Sequence, residues 1–319
     1  MAPWPCSTNK VCVMDAASQL GSVLVKWSLR RGYIVHAASQ NKDITLRFIE
    51  LTDEESRRLK IFKSVDLFDY QTILEAVKGC SGLFYSFEPP HELDRRSYDE
   101  YMVDVEVRAA HNVLEACAQT ETIDKVIFTS SVTAIVWNES ELASPSSVLD
   151  ENNWSDPNYC RKSKLWYALA KTSAEKTAWA LAMDRNVTMV TINAGLLLTP
   201  DLAVTDPYVK GAAEMYGYGV FVTVDLEFLA KAHICTYEDV AAFGRYLCFN
   251  KSILQHEDAV KLSQTLDPSD PCPSQPSPPA HGDYGRREII KQRIRNRKLE
   301  ELMEDFDRGI EMQSLDQNI

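Results

Sequence analysis

The chain has 319 residues, 45% of them hydrophobic, and a formal net charge of −12. That length holds one large or two unequal domains with a sizeable core. The charge argues against nucleic acid or an anionic membrane surface as a partner, while a local pocket can still differ from the average. The eight cysteines show no C-x-x-C spacing and no metal-like clustering, so they read as reduced thiols and no metal site is expected. Met1-Ala-Pro-Trp-Pro-Cys6 is too short and too rich in proline for a targeting segment, and no apolar run approaches the ~20 residues that span a bilayer. A cytoplasmic protein without a membrane partner is the expectation.

Lys10–Met14 reads as a buried strand, Gly21–Arg31 as a helix and Tyr33–Ala38 as a second strand. Leu59–Val65 follows as a strand, Tyr70–Lys78 as a helix and Gly82–Ser86 as a strand. A long helix covers 98–119, its apolar stripe being Val103, Val107, Ala110, Leu114 and Cys117. Lys125–Ser131 is a strand, Leu165–Asp184 a helix, and Val187–Leu198 begins as a strand. Strands alternating with helices of this length predict an α/β fold, a Rossmann-type doubly wound parallel sheet. After about residue 195 the alternation fades, which suits a smaller C-terminal region over the carboxyl ends of the strands, where ligands bind. Pro268–Pro279 reads as an extended connector. Arg286–Arg308 is charged and helical in pattern, with a thin apolar side of Ile290, Ile294, Leu299, Leu302 and Phe306. It reads as a helix docked on its own domain, the alternative being a surface for a protein partner.

Ser131 and Tyr167-Ala-Leu-Ala-Lys171 carry the chemistry. Tyrosine and lysine four apart are common on helices, so the spacing alone is weak. Here the pair follows a strand that ends in serine, inside a chain that alternates strand and helix from the start. Tyrosine has an unperturbed pKa near 10. An ammonium one helical turn away is expected to favour the phenolate and lower that value. Tyr167 can then exchange a proton with a carbonyl or alcohol oxygen, and the Ser131 hydroxyl can bond the same oxygen as charge develops. Lys171 can also reach a ribose hydroxyl. The bland alternative leaves Tyr167 and Lys171 on an amphipathic helix and Ser131 at a strand end. His91, His111 and His233 form no metal or triad set and are expected to be structural or surface residues.

Several segments carry a resemblance. Gly32-Tyr-Ile-Val-His36, Ala76-Val-Lys-Gly-Cys-Ser-Gly-Leu-Phe84, Asn112-Val-Leu-Glu-Ala116, Val126-Ile-Phe-Thr-Ser-Ser131, Trp154-Ser-Asp156 and Gly244-Arg-Tyr-Leu-Cys248 resemble the extended short-chain dehydrogenase/reductases. Within them the chain is most similar to the plant cinnamoyl-CoA reductase and dihydroflavonol reductase group. Val11-Cys-Val-Met-Asp-Ala16 and Ala178-Trp-Ala-Leu-Ala-Met-Asp184 suggest a divergent cinnamoyl-CoA reductase-like branch. The resemblance covers most of residues 10–250. It implies an NAD(P)-binding Rossmann domain over 8–195, with 224–250 returning to it. A substrate-binding region over 196–285 and a charged helical tail over 286–319 complete the chain. It also implies NADP, with NAD possible, and a small aromatic thioester or ketone as substrate. The family's serine, tyrosine and lysine fall on Ser131, Tyr167 and Lys171. Its cofactor-binding positions fall on Asp15, Ser18, Gln19, Leu20, Gly21, Gln40, Asp66, Leu67 and Lys171.

The sequence departs from that pattern in three places. Where the family has Thr-Gly-Ala-x-Gly-x-x-Gly, this chain has Met14-Asp-Ala-Ala-Ser-Gln-Leu-Gly21. Asp15 and Ser18 replace two glycines, and Gly21, which allows close packing of helix on sheet, remains. A carboxylate within about 5 Å of a phosphate charge costs roughly 3 kcal/mol, or about 100-fold in affinity, unless it turns away. After the second strand, Gln40 stands where the family places an arginine for the 2′-phosphate, with Lys42 and Arg47 as nearby cations. Asp66 matches an adenine-side aspartate or simply caps the next element. Around Tyr167, apolar neighbours replace polar ones, and Phe87 and Glu88 add bulk beside the cofactor position. The expectation is an NAD(P)H-dependent reductase of an aromatic carbonyl. The alternative is a cofactor-impaired homologue acting as a binding or regulatory protein.

Overall fold

The computed structural model describes residues 9–40, 50–90, 93, 98–144, 146–266 and 290–316, with side chains described to residue 308. Lys42, Arg47, His91, the N-terminal Met1–Cys6 segment and the Pro268–Pro279 connector lie outside the described residues. In chain order the first half contains β1 (Lys10–Met14), α1 (Gln19–Arg30), β2 (Ile34–Ala38), α2 (Asp53–Arg58) and β3 (Leu59–Phe62). It continues with α3 (Tyr70–Val77), β4 (Gly82–Ser86), α4 (Glu100–Ala118) and β5 (Lys125–Ser131). Three short helices follow, α5 (Thr133–Val136), α6 (Glu139–Ala143) and α7 (Pro157–Lys162), and then the long α8 (Trp166–Arg185). Beyond it lie β6 (Met189–Ala194), β7 (Leu196–Leu198), α9 (Ala212–Gly217), β8 (Val222–Asp225) and α10 (Leu226–Glu238). The last elements are β9 (Gly244–Cys248), β10 (Lys251–Ser252), α11 (His256–Leu266) and α12 (Arg297–Asp316).

The main sheet has seven strands in the order β3-β2-β1-β4-β5-β6-β9, and every pairing in it is parallel. This is the doubly wound arrangement that the alternation predicts. Period-two alternation divides the strand side chains between two cores. Val11 and Val13 face Leu24 and Leu29 of α1, Leu229 and Ala232 of α10, and Leu299 and Leu302 of α12. Cys12 and Met14 face Ile73, Ala110, Leu114, Ala174 and Ala178 from α3, α4 and α8.

The predicted strand over Val187–Leu198 is broken at Gly195, where the chain leaves β6 and enters β7. A Cβ at Gly195 would stand 2.9 Å from the Val222 carbonyl oxygen, so the close approach of β8 needs glycine. β7, β8 and β10 make a small second sheet. It closes over a third core that includes Trp137, Leu169, Tyr208, Phe221 and Phe249.

The C-terminal helix is shorter at its start than its sequence pattern predicts. It begins at Arg297, and Ile294 instead forms an isolated bridge with Leu149 and is fully buried. Leu299, Leu302 and Met303 are buried against the main sheet. Among the described residues, no helix is long and apolar enough to cross a membrane.

Candidate active site

The strand order reverses between β1 and β4, and ligands of such sheets bind in the crevice at that switch point. The turn after β1 therefore occupies the position that matters most. Asp15, in place of the first glycine, adopts φ 60°, the left-handed region that aspartate enters more readily than most residues. Its carbonyl accepts from Ser18 N at 3.1 Å and Ser18 Oγ at 2.9 Å. Ser18 Oγ in turn accepts from Gly21 N at 2.9 Å, so the second replaced glycine has become the N-cap of α1. A Cβ on Gly21 would stand 2.2 Å from Asp15 O, which is why this glycine alone is indispensable to the turn.

From this turn a cavity of about 350 Å³ runs toward the small sheet. Ser18, Gln19 and Leu20 line one end, Ser131, Tyr167 and Lys171 the middle, and Asp201, Asp206 and Tyr208 the far side. Phe87, Glu88 and Tyr98 also face it. Thus six of the sequence-derived site residues meet in one cavity. Asp15 and Gly21 do not line it. The charge of Asp15 acts instead on the buried Tyr85 phenol, whose pKa it helps to raise after burial and Glu106.

Ser131, Tyr167 and Lys171 are placed by β5 and α8. Ser131 ends β5, and its Oγ accepts from Thr133 N at 3.1 Å and Thr133 Oγ1 at 3.0 Å. With both acceptor sites used, its own proton is left for the Tyr167 oxygen, with which it hydrogen-bonds. Beneath lies a buried network. Ser130 Oγ and Asn193 Nδ2 donate to Glu175 Oε2 at 2.7 and 2.8 Å, and Arg245 Nε donates to Glu175 Oε1 at 2.6 Å. Asn193 Nδ2 also reaches Ser131 O at 3.3 Å. These bonds tie β5, β6, α8 and β9 together directly under the Ser131 backbone.

The electrostatics differ from the expectation that Lys171 lowers the pKa of Tyr167. Tyr167 is instead raised well above the usual tyrosine value, by burial first and then by Asp206 and Glu106, with Glu88 adding to the rise. The Ser131 hydrogen bond lowers it only in part. The physical reason is first the burial of the phenol and then the carboxylates around it, one of which, Glu106, is the partner of Lys171. Its Nζ is 2.7 Å from Glu106 Oε1, an ion pair with both side chains buried. Glu106 Oε2 accepts from Tyr98 OH at 3.1 Å, and Tyr98 packs edge-on against Tyr167 with ring centroids 5.1 Å apart.

After β2, Gln40 Nε2 donates to the Glu88 backbone carbonyl at 2.8 Å. Asp66 is exposed, and its Oδ1 accepts from Phe68 N at 2.8 Å in a turn before α3, whose N-cap is Asp69 rather than Asp66. Leu67 is buried, and its carbonyl accepts from Asn112 Nδ2 at 2.9 Å. None of the three lines the cavity. Of the histidines, His111 is exposed, whereas His233 is buried and bonded to Leu229 O and Thr129 Oγ1 at 2.8 Å each. Sequence reasoning missed Glu106, Tyr98, Asp201, Asp206 and Tyr208. For Glu106 a signal exists: it lies three residues after Val103 and four before Ala110, a carboxylate in phase with the apolar stripe of α4.

Comparison with known proteins identifies the family of the chain. Cinnamoyl-CoA reductase 1 of Petunia hybrida is 34% identical over 312 residues, covering 94% of this chain and 88% of that protein. A bifunctional dihydroflavonol 4-reductase/flavanone 4-reductase of Malus domestica is 32% identical over 265 residues, covering 78% and 74%. The crystal structure of vestitone reductase from alfalfa (Medicago sativa L.) superposes with a TM-score of 0.65 at 25% identity, covering 92% and 91% of the two chains. Residues 11–210 match the NAD dependent epimerase/dehydratase family, and the chain belongs to that family.

Proposed function

We propose that this protein is a nicotinamide-dependent reductase of a carbonyl group on an aromatic, phenylpropanoid-type compound. One observation carries the reading: Ser131, Tyr167 and Lys171 meet in a cavity whose other end is the N-terminus of α1. The likeness to cinnamoyl-CoA and dihydroflavonol reductases supports it.

The residues present fit a dinucleotide. The first N–H groups of a helix have no intrahelical partner, and those of Gln19 and Leu20 begin α1 at the cavity wall. With the positive end of the helix dipole, they suit a pyrophosphate. Ser18 would add a side-chain contact there, and Lys171 would face the ribose. When bound, the nicotinamide supplies the hydride for the carbonyl carbon. Tyr167 gives its phenolic proton to the carbonyl oxygen, and Ser131 bonds that oxygen as negative charge grows on it. A phenol is protonated at neutral pH, the state a proton donor for reduction needs, and burial of Tyr167 favours that same neutral form. Phe87, Tyr98 and Tyr208 offer flat apolar surface to an aromatic substrate.

Replacing Tyr167 by Phe removes the donor but keeps the ring. Turnover of aromatic aldehydes and ketones should fall by about 10²–10⁴-fold, with a melting temperature close to that of the wild type. Undiminished turnover in Tyr167→Phe would overturn the assignment of the acid.

The second reading, a cofactor-impaired homologue with a binding or regulatory role, rests on two glutamines. Gln40 reaches from the end of β2 to Glu88 after β4, and β1 lies between those strands. Gln19 Nε2 donates to Asp201 Oδ1 at 2.6 Å, joining the nucleotide turn to the segment after β7. Both bonds tie together walls that a dinucleotide would have to pass between.

A further inference from the structure

The far side of the cavity carries charge that the proposed chemistry does not use. Among the described residues that line the cavity, Glu88, Asp201 and Asp206 are carboxylates, and Lys171 is the only lysine or arginine. Lys171 Nζ already lies 2.7 Å from Glu106 Oε1 in a buried ion pair. An aromatic carbonyl compound in this cavity would therefore sit among negative charges.

Of the three lining carboxylates, Asp206 acts most strongly on Tyr167. After burial it is the main cause of the raised phenol pKa, ahead of Glu106 and Glu88. Its field thus reaches the group that would meet a carbonyl oxygen. Its place is fixed: Oδ1 accepts from Tyr208 N at 2.9 Å, and Asp206 N donates to Ala203 O at 2.9 Å. Tyr208 is buried, with its ring centre 6.2 Å from that of Tyr167. One short segment before α9 therefore supplies both a flat ring and a held carboxylate beside Tyr167. Asp206 itself is half-buried. Burial raises its pKa, the bond from Tyr208 N lowers it, Asp201 raises it and Lys171 lowers it. At pH 8, about four units above the ordinary aspartate value, it carries its charge.

We propose that Asp206 is a specificity-determining residue: it restricts the cavity to aromatic carbonyl compounds with no anionic group on the part that enters, and turns away carboxylates, sulfonates and phosphates of the same shape. The aromatic carbonyl class comes from the reductase reading, whereas the rejection of anions follows from the cavity alone. A cleft lined by one sign of charge concentrates its field. A like charge within about 8 Å, at an effective dielectric of 20, weakens binding by about 30-fold. Ser131 and Tyr167 would bond the same carbonyl oxygen in a charged and an uncharged ligand, so discrimination between the two falls to the wall.

The test uses two ketones of nearly equal shape, 4-acetylbenzamide, which is neutral, and 4-acetylbenzoate, which is an anion. Each is titrated calorimetrically into the whole protein at pH 8 with NADP⁺ present, which cannot reduce either. The amide should bind wild type at least about 10-fold more tightly than the carboxylate. Asp206→Asn keeps an oxygen that can accept from Tyr208 N and removes the charge, so the ratio of the two Kd values should fall toward one. Asp206→Glu keeps the charge and should keep the preference. Equal Kd values in wild type would overturn the proposal without any variant, as would failure of the amide to bind. An unchanged ratio in folded Asp206→Asn would overturn it too. The expected ratios, with no reduction of any aromatic aldehyde or ketone by NADPH or NADH, would uphold the role of Asp206 and overturn the reductase reading alone.

Discussion

Asp15 shows how the tight turn after β1 keeps its shape without a glycine at that position. The residue stands at φ 60°, and its carbonyl accepts twice from Ser18. The left-handed conformation costs an ordinary L-residue about 1–2 kcal/mol, while glycine adopts it freely. Asp15→Gly should therefore be more stable than Asp15→Ala by about 1 kcal/mol in urea denaturation. Equal stabilities would mean that the backbone at Asp15 carries no strain. The residue types Ser131, Tyr167 and Lys171 were legible because proton exchange with a carbonyl needs that set. The charge state of the site was not legible. It depends on Glu106 meeting Lys171 from another helix, and a spacing of four within α8 says nothing of what α4 brings across.

At the scale of elements, the first half was read closely because its strands and amphipathic helices follow simple periods. β1, β4 and β5 begin and end where their apolar runs do. α10 gave no such signal. Leu229, Ala230, Ala232, His233, Ile234, Cys235 and Thr236 are all buried, so the helix is covered nearly all round and has no single stripe. His233 is part of that burial. Leu229 O can only accept, so His233 Nδ1–H donates to it and Nε2 accepts from Thr129. Burial lowers the His233 pKa to about 4. A depressed pKa means that the unfolded chain takes the proton first as pH falls below about 6.5. The stability that His233 contributes is full above that pH and lost as pH falls toward 4. The loss is on the order of 3 kcal/mol. Denaturant unfolding at pH 7 and pH 4.5 should show a smaller acid loss in His233→Gln than in wild type. Equal losses would remove His233 from the acid response.

For the whole molecule, the C-terminal segment matters to the fold more than its charge suggests. Buried Arg293 donates to the carbonyls of Glu141, Leu142, Ser144 and Ser147, and α12 packs on α10 and β9. That docking joins the main sheet to the α6 segment, and no local sequence period could have revealed it. The cavity so framed is lined by Tyr167, Ser131 and the N-terminus of α1, with Gln40 and Gln19 bonded across its approaches. The central claim is that a nicotinamide dinucleotide occupies this cleft in front of Tyr167. Calorimetric titration of the wild-type protein with NADPH and with NADH tests it most directly. The account predicts one site with a Kd of micromolar order, about −8 kcal/mol, for at least one of the two. No binding of either up to millimolar concentration would contradict it and leave the site to a ligand or partner other than the cofactor.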